Sequence, residues 1–343
     1  MPKALVIKTG TMSGMVHCLS AVAEAKQQRP DLEIDWVAEE RLAAIPLLSP
    51  AVNKVYRVGI DRARGRPWDL SSWDDFLRQL SAVGDERYDY VIDAQGARHS
   101  ALIAAKVKTG DGGRWGFGQG SSSSMLASLP LDHTVDVPYE RHAVERQRTL
   151  FSKALGYTCL DRPLSGSMVA IGVMAKEFAE VCGRIGASPH ESPNWVVFVV
   201  NSGRKTKTWS EHRWVALGKA LKRRGLSPVI PAYGENDRRE CLAIARASEG
   251  RLLPTLSLRD LAGVLQHARA VVGVDTGLTH WAAGMGQNTV ALMTGSVSDR
   301  FHVDWTHRGM TLSGDDIHHK SILRALTEMG VLPKGEPLDG EDS

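Results

Sequence analysis

The sequence predicts an α/β protein made of two consecutive doubly wound domains. Short apolar runs alternate with helical patterns twice along the chain, which indicates parallel sheets covered by helices. A length of 343 residues exceeds what one core comfortably holds. The third observation is the stretch 270–286, where an apolar run stops at Asp275-Thr276-Gly277 and a small-residue helix begins.

In chain order, residues 4–7 read as a buried strand ending at Lys8-Thr9-Gly10. A helical pattern over 13–28 follows, with Met15, Leu19 and Val22 on one face and Pro30 beyond its end. Residues 33–38 form a second strand, and after a short helix 54–58 form a third. A long polar connection over 61–68 leads to a helix over 73–83. A strand over 88–92 ends at Asp93-Ala-Gln-Gly96, and a helix follows over 98–107. Residues 110–124 are rich in Gly and Ser and read as a loop. A helix over 139–155 stops at Gly156. Periodicity weakens over 156–192, so the domains divide as 1–165 and 166–343.

The second alternation opens with a strand over 195–200 and a polar loop over 201–207. Helices over 211–224, 237–247 and 258–267 surround a strand over 228–231. The strand 270–274, the helix 278–285, a strand over 288–293 and a terminal helix over 320–329 complete the chain.

Hydrophobic content of 43% and charged content of 24% are those of an ordinary globular protein. A net charge of +3 is too small to argue for a nucleic-acid partner, but allows a local patch that meets an anionic surface. Cys18, Cys159, Cys182 and Cys241 have no zinc-type spacing, which suits a reducing compartment and argues against a structural metal. No apolar run reaches the length of a signal peptide or membrane span, so the expected location is cytoplasmic. The absence of GxGxxG and GxxxxGK[ST] removes support for dehydrogenase and P-loop readings, and the absence of GxSxG weakens a hydrolase reading.

The turn at 275–277 admits two roles. Asp and Thr are strong helix caps, so Asp275 and Thr276 can serve the helix alone, with His280 a satisfied core histidine. A strand feeding a capped helix also presents amides beside the positive end of the helix dipole, which suits a diphosphate. His280 lies four residues after Thr276, on the same helix face.

Six segments together resemble the ADP-heptose:lipopolysaccharide heptosyltransferases of glycosyltransferase family 9. They are Lys8-Thr9, Ile34-Asp-Trp-Val-Ala-Glu-Glu40, Val91-Ile-Asp-Ala-Gln-Gly96, His142-Ala-Val-Glu-Arg146, Lys207-Thr-Trp209 and Val274-Asp-Thr-Gly-Leu-Thr-His280. They occur in family order between residue 3 and about residue 299. The resemblance implies a GT-B fold: two Rossmann-like domains facing a central cleft, the acceptor held mainly by the first and the sugar nucleotide by the second. It further implies an inverting enzyme without cofactor or metal that moves L-glycero-D-manno-heptose from ADP-heptose to Kdo on lipid A. Such an enzyme would work at the cytoplasmic face of the inner membrane.

Residue by residue, the resemblance puts Thr276 and Gly277 on the diphosphate, with Asp275 and His280 lining the same pocket. Lys207 matches the family lysine near the phosphates, and Ser202 and Gly203 stand where the family reaches the nucleotide. Tyr233 and Leu256, with Ser257, fall around adenosine, and Glu235, Asp237 and Glu240 are candidates for the ribose. On the acceptor side, Arg62, Arg64 and Arg66 suit the phosphates and carboxylates of the acceptor, though a solvated loop is the other role open to them. Lys8 and Asp93 are the catalytic candidates and Gln95 an acceptor contact; Asp93 also admits a buried structural role.

One position departs from the family. Where the family carries Gly-Asp, with the acid as its proposed general base, this chain has Ser13-Gly14. A family arginine is also replaced within the run Ser121 to Ser124. His17, Glu39 and Asp93 are possible substitutes for the acid. The departure leaves two other readings open: a family member with another acceptor, such as a heptosylated core, or a weakly active ADP-sugar-binding paralogue.

Overall fold

The computed structural model describes residues 1–65, 68–164, 175–185, 194–201, 209–294, 299–314 and 317–334. The chain divides into two units, Met1–Ala170 and Ile171–Ser343.

In the first unit the elements are β1 (Lys3–Ile7), α1 (Met12–Gln28), β2 (Glu33–Glu39), α2 (Ala44–Leu47), β3 (Lys54–Val58), α3 (Ile60–Gly65) and α4 (Leu70–Gly84). They continue with β4 (Arg87–Tyr88), β5 (Tyr90–Asp93), α5 (Arg98–Lys106), β6 (Lys108–Thr109), β7 (Arg114–Phe117), β8 (His133–Val135) and α6 (Ala143–Leu155). The main sheet runs β3-β2-β1-β5-β7-β8 with parallel pairings throughout. Its central strands are buried on both faces, which explains their nearly unbroken apolar sequences.

The second unit holds α7 (Ala175–Ile185), β9 (Trp195–Val199), α8 (Glu211–Lys222), β10 (Ser227–Ile230), α9 (Gly234–Ala247), β11 (Arg251–Leu252) and α10 (Leu258–Gln266). It ends with β12 (Ala270–Val274), α11 (Gly277–Gly284), β13 (Thr289–Met293), β14 (Gly309–Ser313) and α12 (His319–Glu328). This sheet is again parallel, ordered β11-β10-β9-β12-β13-β14. Both units therefore wind outward from their first strand in both directions, the doubly wound arrangement expected from the sequence.

Some elements differ from expectation. The polar connection expected over 61–68 begins as helix α3, because Ile60 and Ala63 are buried three residues apart. Its charges pair outward, Arg62 with Glu40 at 3.0 Å and Asp61 with Arg41 at 3.1 Å. The Gly/Ser-rich loop expected over 110–124 contains β7, in register with β5, and Trp115 of β7 stacks on His133 of β8 at 4.4 Å. The sequence Arg-Trp-Gly-Phe of β7 has no continuous apolar run, so nothing marks it as a strand before its neighbours are in place. The helix expected from residue 139 starts at Ala143, capped by His142 through a bond from the Val144 amide.

A buried ion pair locks α1 to α6. Arg148 Nε donates to Glu24 Oε2 at 2.5 Å, and both side chains are almost fully buried. Arg148 also donates to Glu145 at 2.9 Å, while Glu24 accepts the Leu160 amide at 2.7 Å. Removing one partner leaves a charge buried alone, so Glu24→Gln or Arg148→Met should each destabilise the first unit by about 3–5 kcal/mol. The double variant should cost clearly less than the sum. Denaturant unfolding of the three variants measures this, and additive losses would contradict it.

Candidate functional site

In a doubly wound sheet the loops after the two central strands diverge, leaving an opening at their carboxyl ends. In the first unit those strands are β1 and β5. Three hydrogen bonds tie their loops together. Lys8 Nζ donates to the Ala94 carbonyl at 2.7 Å, the Gly10 amide donates to Gln95 Oε1 at 3.4 Å, and Thr9 Oγ1 bonds His99 Nε2 at 2.9 Å. Lys8, Gln95 and His99 are thereby held at one edge. Burial lowers the Lys8 pKa, while Asp93 and Cys18 oppose that shift.

Asp93 is buried within this edge. Its Oδ1 accepts the amides of Gln95 and Gly96 at 2.9 and 3.0 Å, and its Oδ2 accepts the Ser100 hydroxyl at 2.8 Å. Gly96 sits at φ +64°, a conformation glycine adopts without strain. Asp93 thus holds the turn that carries Gln95 and leads to His99, the buried structural role that the sequence left open for it beside a catalytic one. The other two substitutes for the missing acid are also enclosed: His17 is buried in α1, and Glu39 is buried and accepts the Asp61 amide at 3.1 Å. His99 was missed in sequence. It is half-buried in the first turn of α5, and its pKa is lowered by burial and then by Arg64, against Asp61. The signal available was its place just after the Asp93–Gly96 turn.

Gly14 is the third residue of α1, and its amide donates to the cap residue Thr11 at 3.3 Å. A Cβ placed there would lie 3.2 Å from Lys8 Cε and 3.7 Å from Nζ. Arg62 is committed to Glu40, whereas Arg64 stands exposed near His99; Arg66 lies outside the described residues. Ser121 is buried, its hydroxyl accepting the Val137 amide at 2.7 Å, and Arg146 donates to the Val137 and Pro138 carbonyls and to that of Ser121. Arg146 of the 142–146 motif therefore shapes the loop after β7.

In the second unit the central strands are β9 and β12. Thr276 caps α11, its hydroxyl accepting the Thr279 amide at 3.4 Å. Thr279 is fully buried and donates to the Val274 carbonyl at 2.7 Å. A Cβ on Gly273 would lie 2.3 Å from the Thr279 hydroxyl, so only glycine lets α11 approach β12 this closely. His280 is buried and bonds Asp275 at 3.1 Å. It orients the Asp275 carboxylate from behind, and Asp275, Thr276 and Gly277 form the partly exposed rim.

Tyr233 follows β10 as the cap residue of α9 and is exposed; Leu256 follows β11, half-buried, beside Ser257, which caps α10 through Asp260. The parallel order places Tyr233, Leu256 and Asp275–Gly277 at the same carboxyl edge. Of the ribose candidates, Glu235, Asp237 and Glu240 lie on α9. Ser202, Gly203 and Lys207 lie outside the described residues.

Two doubly wound units in succession, each with polar residues at its switch point, are the arrangement of the GT-B fold. Residues 76–330 match the model of glycosyltransferase family 9 (heptosyltransferase), and the chain belongs to that family. It is 35% identical over 294 residues to lipopolysaccharide heptosyltransferase 1 of Pseudomonas aeruginosa, covering 84% of this chain and 78% of the relative. The corresponding Escherichia coli K12 protein is 32% identical over 292 residues, covering 84% and 87%. The solved E. coli heptosyltransferase WaaC with ADP superposes with a TM-score of 0.83 at 26% identity, over 95% of this chain and 99% of that one. The protein is thus a glycosyltransferase.

The environment of Asp93 is testable through pH. Burial pushes its carboxyl up from 3.8 to about 6, against the pull of Gly96, Ser100, Gln95 and Lys8. The folded state therefore holds this proton more tightly than the unfolded state. The associated stability is full below pH 3.8 and is lost as pH rises through about 6. Asp93→Asn removes this titration, so between those limits the variant should gain on the parent by on the order of 1–3 kcal/mol. Unfolding of both proteins across that range checks it; a constant difference would contradict it.

Proposed function

We propose that this glycosyltransferase moves L-glycero-D-manno-heptose from ADP-heptose to Kdo of the lipopolysaccharide inner core, inverting the anomeric centre. The observation that carries the reading is the Asp275–Gly277 turn at the switch point of the second unit, where α11 begins. The first-turn amides and dipole of α11 suit a diphosphate leaving group and would stabilise the charge that grows on it. Support for the substrates comes from the relatives named lipopolysaccharide heptosyltransferase 1 and from WaaC solved with ADP-2-deoxy-2-fluoro heptose, similar at a TM-score of 0.78 and 26% identity. Thr276 and Gly277 take the diphosphate, Lys207 neutralises it without a metal, and Ser202 and Gly203 reach the nucleotide. Tyr233 and Leu256 flank the adenosine.

The acceptor meets the first unit, where Gln95, Arg64 and Arg66 are assigned to its anionic sugars and Lys8 holds the β1 and β5 loops together. Among the groups described at that edge, His99 is partly exposed and bonded to Thr9, and burial favours its neutral form, which suits it to accept the acceptor's proton. The enzyme works at the cytoplasmic face of the inner membrane, where its lipid-linked acceptor is made; no helix of the described residues is long and apolar enough to cross a membrane.

Turnover of ADP-heptose with Kdo2-lipid A, beside calorimetric ADP binding, tests this function. ADP binding without turnover would leave a sugar-nucleotide-binding paralogue, and turnover only on heptosylated core would reassign the acceptor. Lys207→Ala should weaken ADP binding by about 1.5–3 kcal/mol, the range for a hydrogen bond to a charged group. Gly277→Val should weaken it too, and unchanged affinity in both variants would remove the diphosphate assignment.

The proton acceptor is tested separately. Gly14 lacks a positive φ and occupies the third helical position, where an acid favours the helix. His99→Ala should lower kcat by about 10²–10⁴. Gly14→Asp, which sets a carboxylate near Lys8, should restore much of that loss with ADP affinity unchanged. Full activity in His99→Ala would exclude the histidine.

A further inference from the structure

One face of the first unit combines exposed apolar side chains with positive charge. On α5, Arg98, Leu102 and Lys106 follow each other at four-residue spacing and all three are exposed. Packed against α5 is the 3-10 helix Met125–Ser128, followed by Leu129. Leu102 is 59% exposed, Met125 69%, Leu126 49% and Leu129 73%, while Ala127 beneath them is buried. Arg98 Nε donates to Ser124 Oγ at 3.4 Å, and Ser123 Oγ donates to the Gly96 carbonyl at 2.7 Å, so the two elements form one surface. A cluster of large, exposed apolar side chains of this kind marks an interaction surface.

Charge selects the occupant. Between residues 98 and 132 the cations are Arg98, Lys106, Lys108 and Arg114 and the acids are Asp111 and Asp132; Asp132 pairs with Arg114 at 3.4 Å, and a positive excess remains at Arg98, Lys106 and Lys108. The other exposed apolar group of this unit, Trp68, Leu70 and Leu77 around α4, sits instead in a charge-balanced stretch, where Asp69, Asp74, Asp75 and Asp85 are matched by Arg62, Arg64, Arg66 and Arg78. An anionic lipid surface meets no net charge at the α4 group and is attracted by the net positive α5 group. Leucine and methionine side chains enter the boundary between headgroups and acyl chains, while flanking Arg and Lys meet lipid phosphates.

We propose that Leu102, Met125, Leu126 and Leu129, flanked by Arg98 and Lys106, form the surface by which this protein docks on an anionic bilayer. The role rests on the lipid-linked acceptor proposed above, since α5 begins at the Gln95–His99 edge and docking there brings that edge to the membrane. The contact is interfacial, with no span, and its strength grows with anionic lipid content.

Cosedimentation of the full chain with vesicles of phosphatidylethanolamine and phosphatidylglycerol, without donor or acceptor, reads docking alone. The wild type should bind these vesicles and not phosphatidylcholine vesicles, and binding should fall as salt is raised. The variant Leu102→Ser/Met125→Ser/Leu126→Ser/Leu129→Ser should lose at least about tenfold in partitioning. Lys106→Glu, an exposed single change that leaves the apolar residues in place, should weaken binding to the anionic vesicles alone. Turnover on a water-soluble, O-deacylated Kdo acceptor should be unchanged in both variants. Wild-type binding that survives the fourfold variant and Lys106→Glu overturns the assignment. So does a wild type that ignores vesicles but forms a dimer which the fourfold variant abolishes, for the face is then an interface between copies. Turnover of the soluble acceptor by a protein that binds no vesicles refutes this surface and leaves the proposed function standing.

Discussion

The constraint on which the rest depends is that both main sheets are parallel and start from a central strand. A parallel sheet requires each crossover to pass over a face, which is why helices separate the strands and why these strands are apolar on both sides. Reversal of the winding direction beside β1 and beside β9 forces adjacent loops apart. That divergence, and no single residue, makes room for a ligand at the carboxyl edge of each unit.

Around those openings the chain holds polar groups in place with buried ones. Asp93 fixes the turn behind Gln95 and His99; His280 orients Asp275; Thr279 draws α11 onto β12, where Gly273 leaves space for it. Each of these buried groups is spent on geometry, and the exposed rim is left to smaller numbers of residues. The same division explains the 142–146 motif, in which Arg146 braces the loop after β7 with three carbonyl bonds and lies over the Phe117 ring at 4.9 Å.

Gly14, where the resemblance to the family leads one to expect an acid, leaves no side chain beside Lys8. The space a side chain at this position would fill lies against Lys8, which instead turns its ammonium to the Ala94 carbonyl. The lysine then closes the β1 and β5 loops together as a positioning contact. His99, bonded to Thr9, stands at the same edge.

The sequence by itself determined the doubly wound class, the family, the central strands and the turn at 275–277, because uninterrupted apolar runs and helix caps are local signals that survive without tertiary context. It also placed Thr276 correctly as a helix cap, a role written in its spacing to Thr279. Only the tertiary structure decided what the polar residues of those turns do. Asp93 and His280 carry the same chemistry whether buried or exposed, and their burial is set by strands distant in sequence. The short strand β7 and the helix α3 were equally illegible, since two buried residues suffice to anchor each once neighbours are present. His99 became visible for the same reason: its partner Thr9 lies 90 positions away in sequence, and only the pairing of β1 with β5 brings them together.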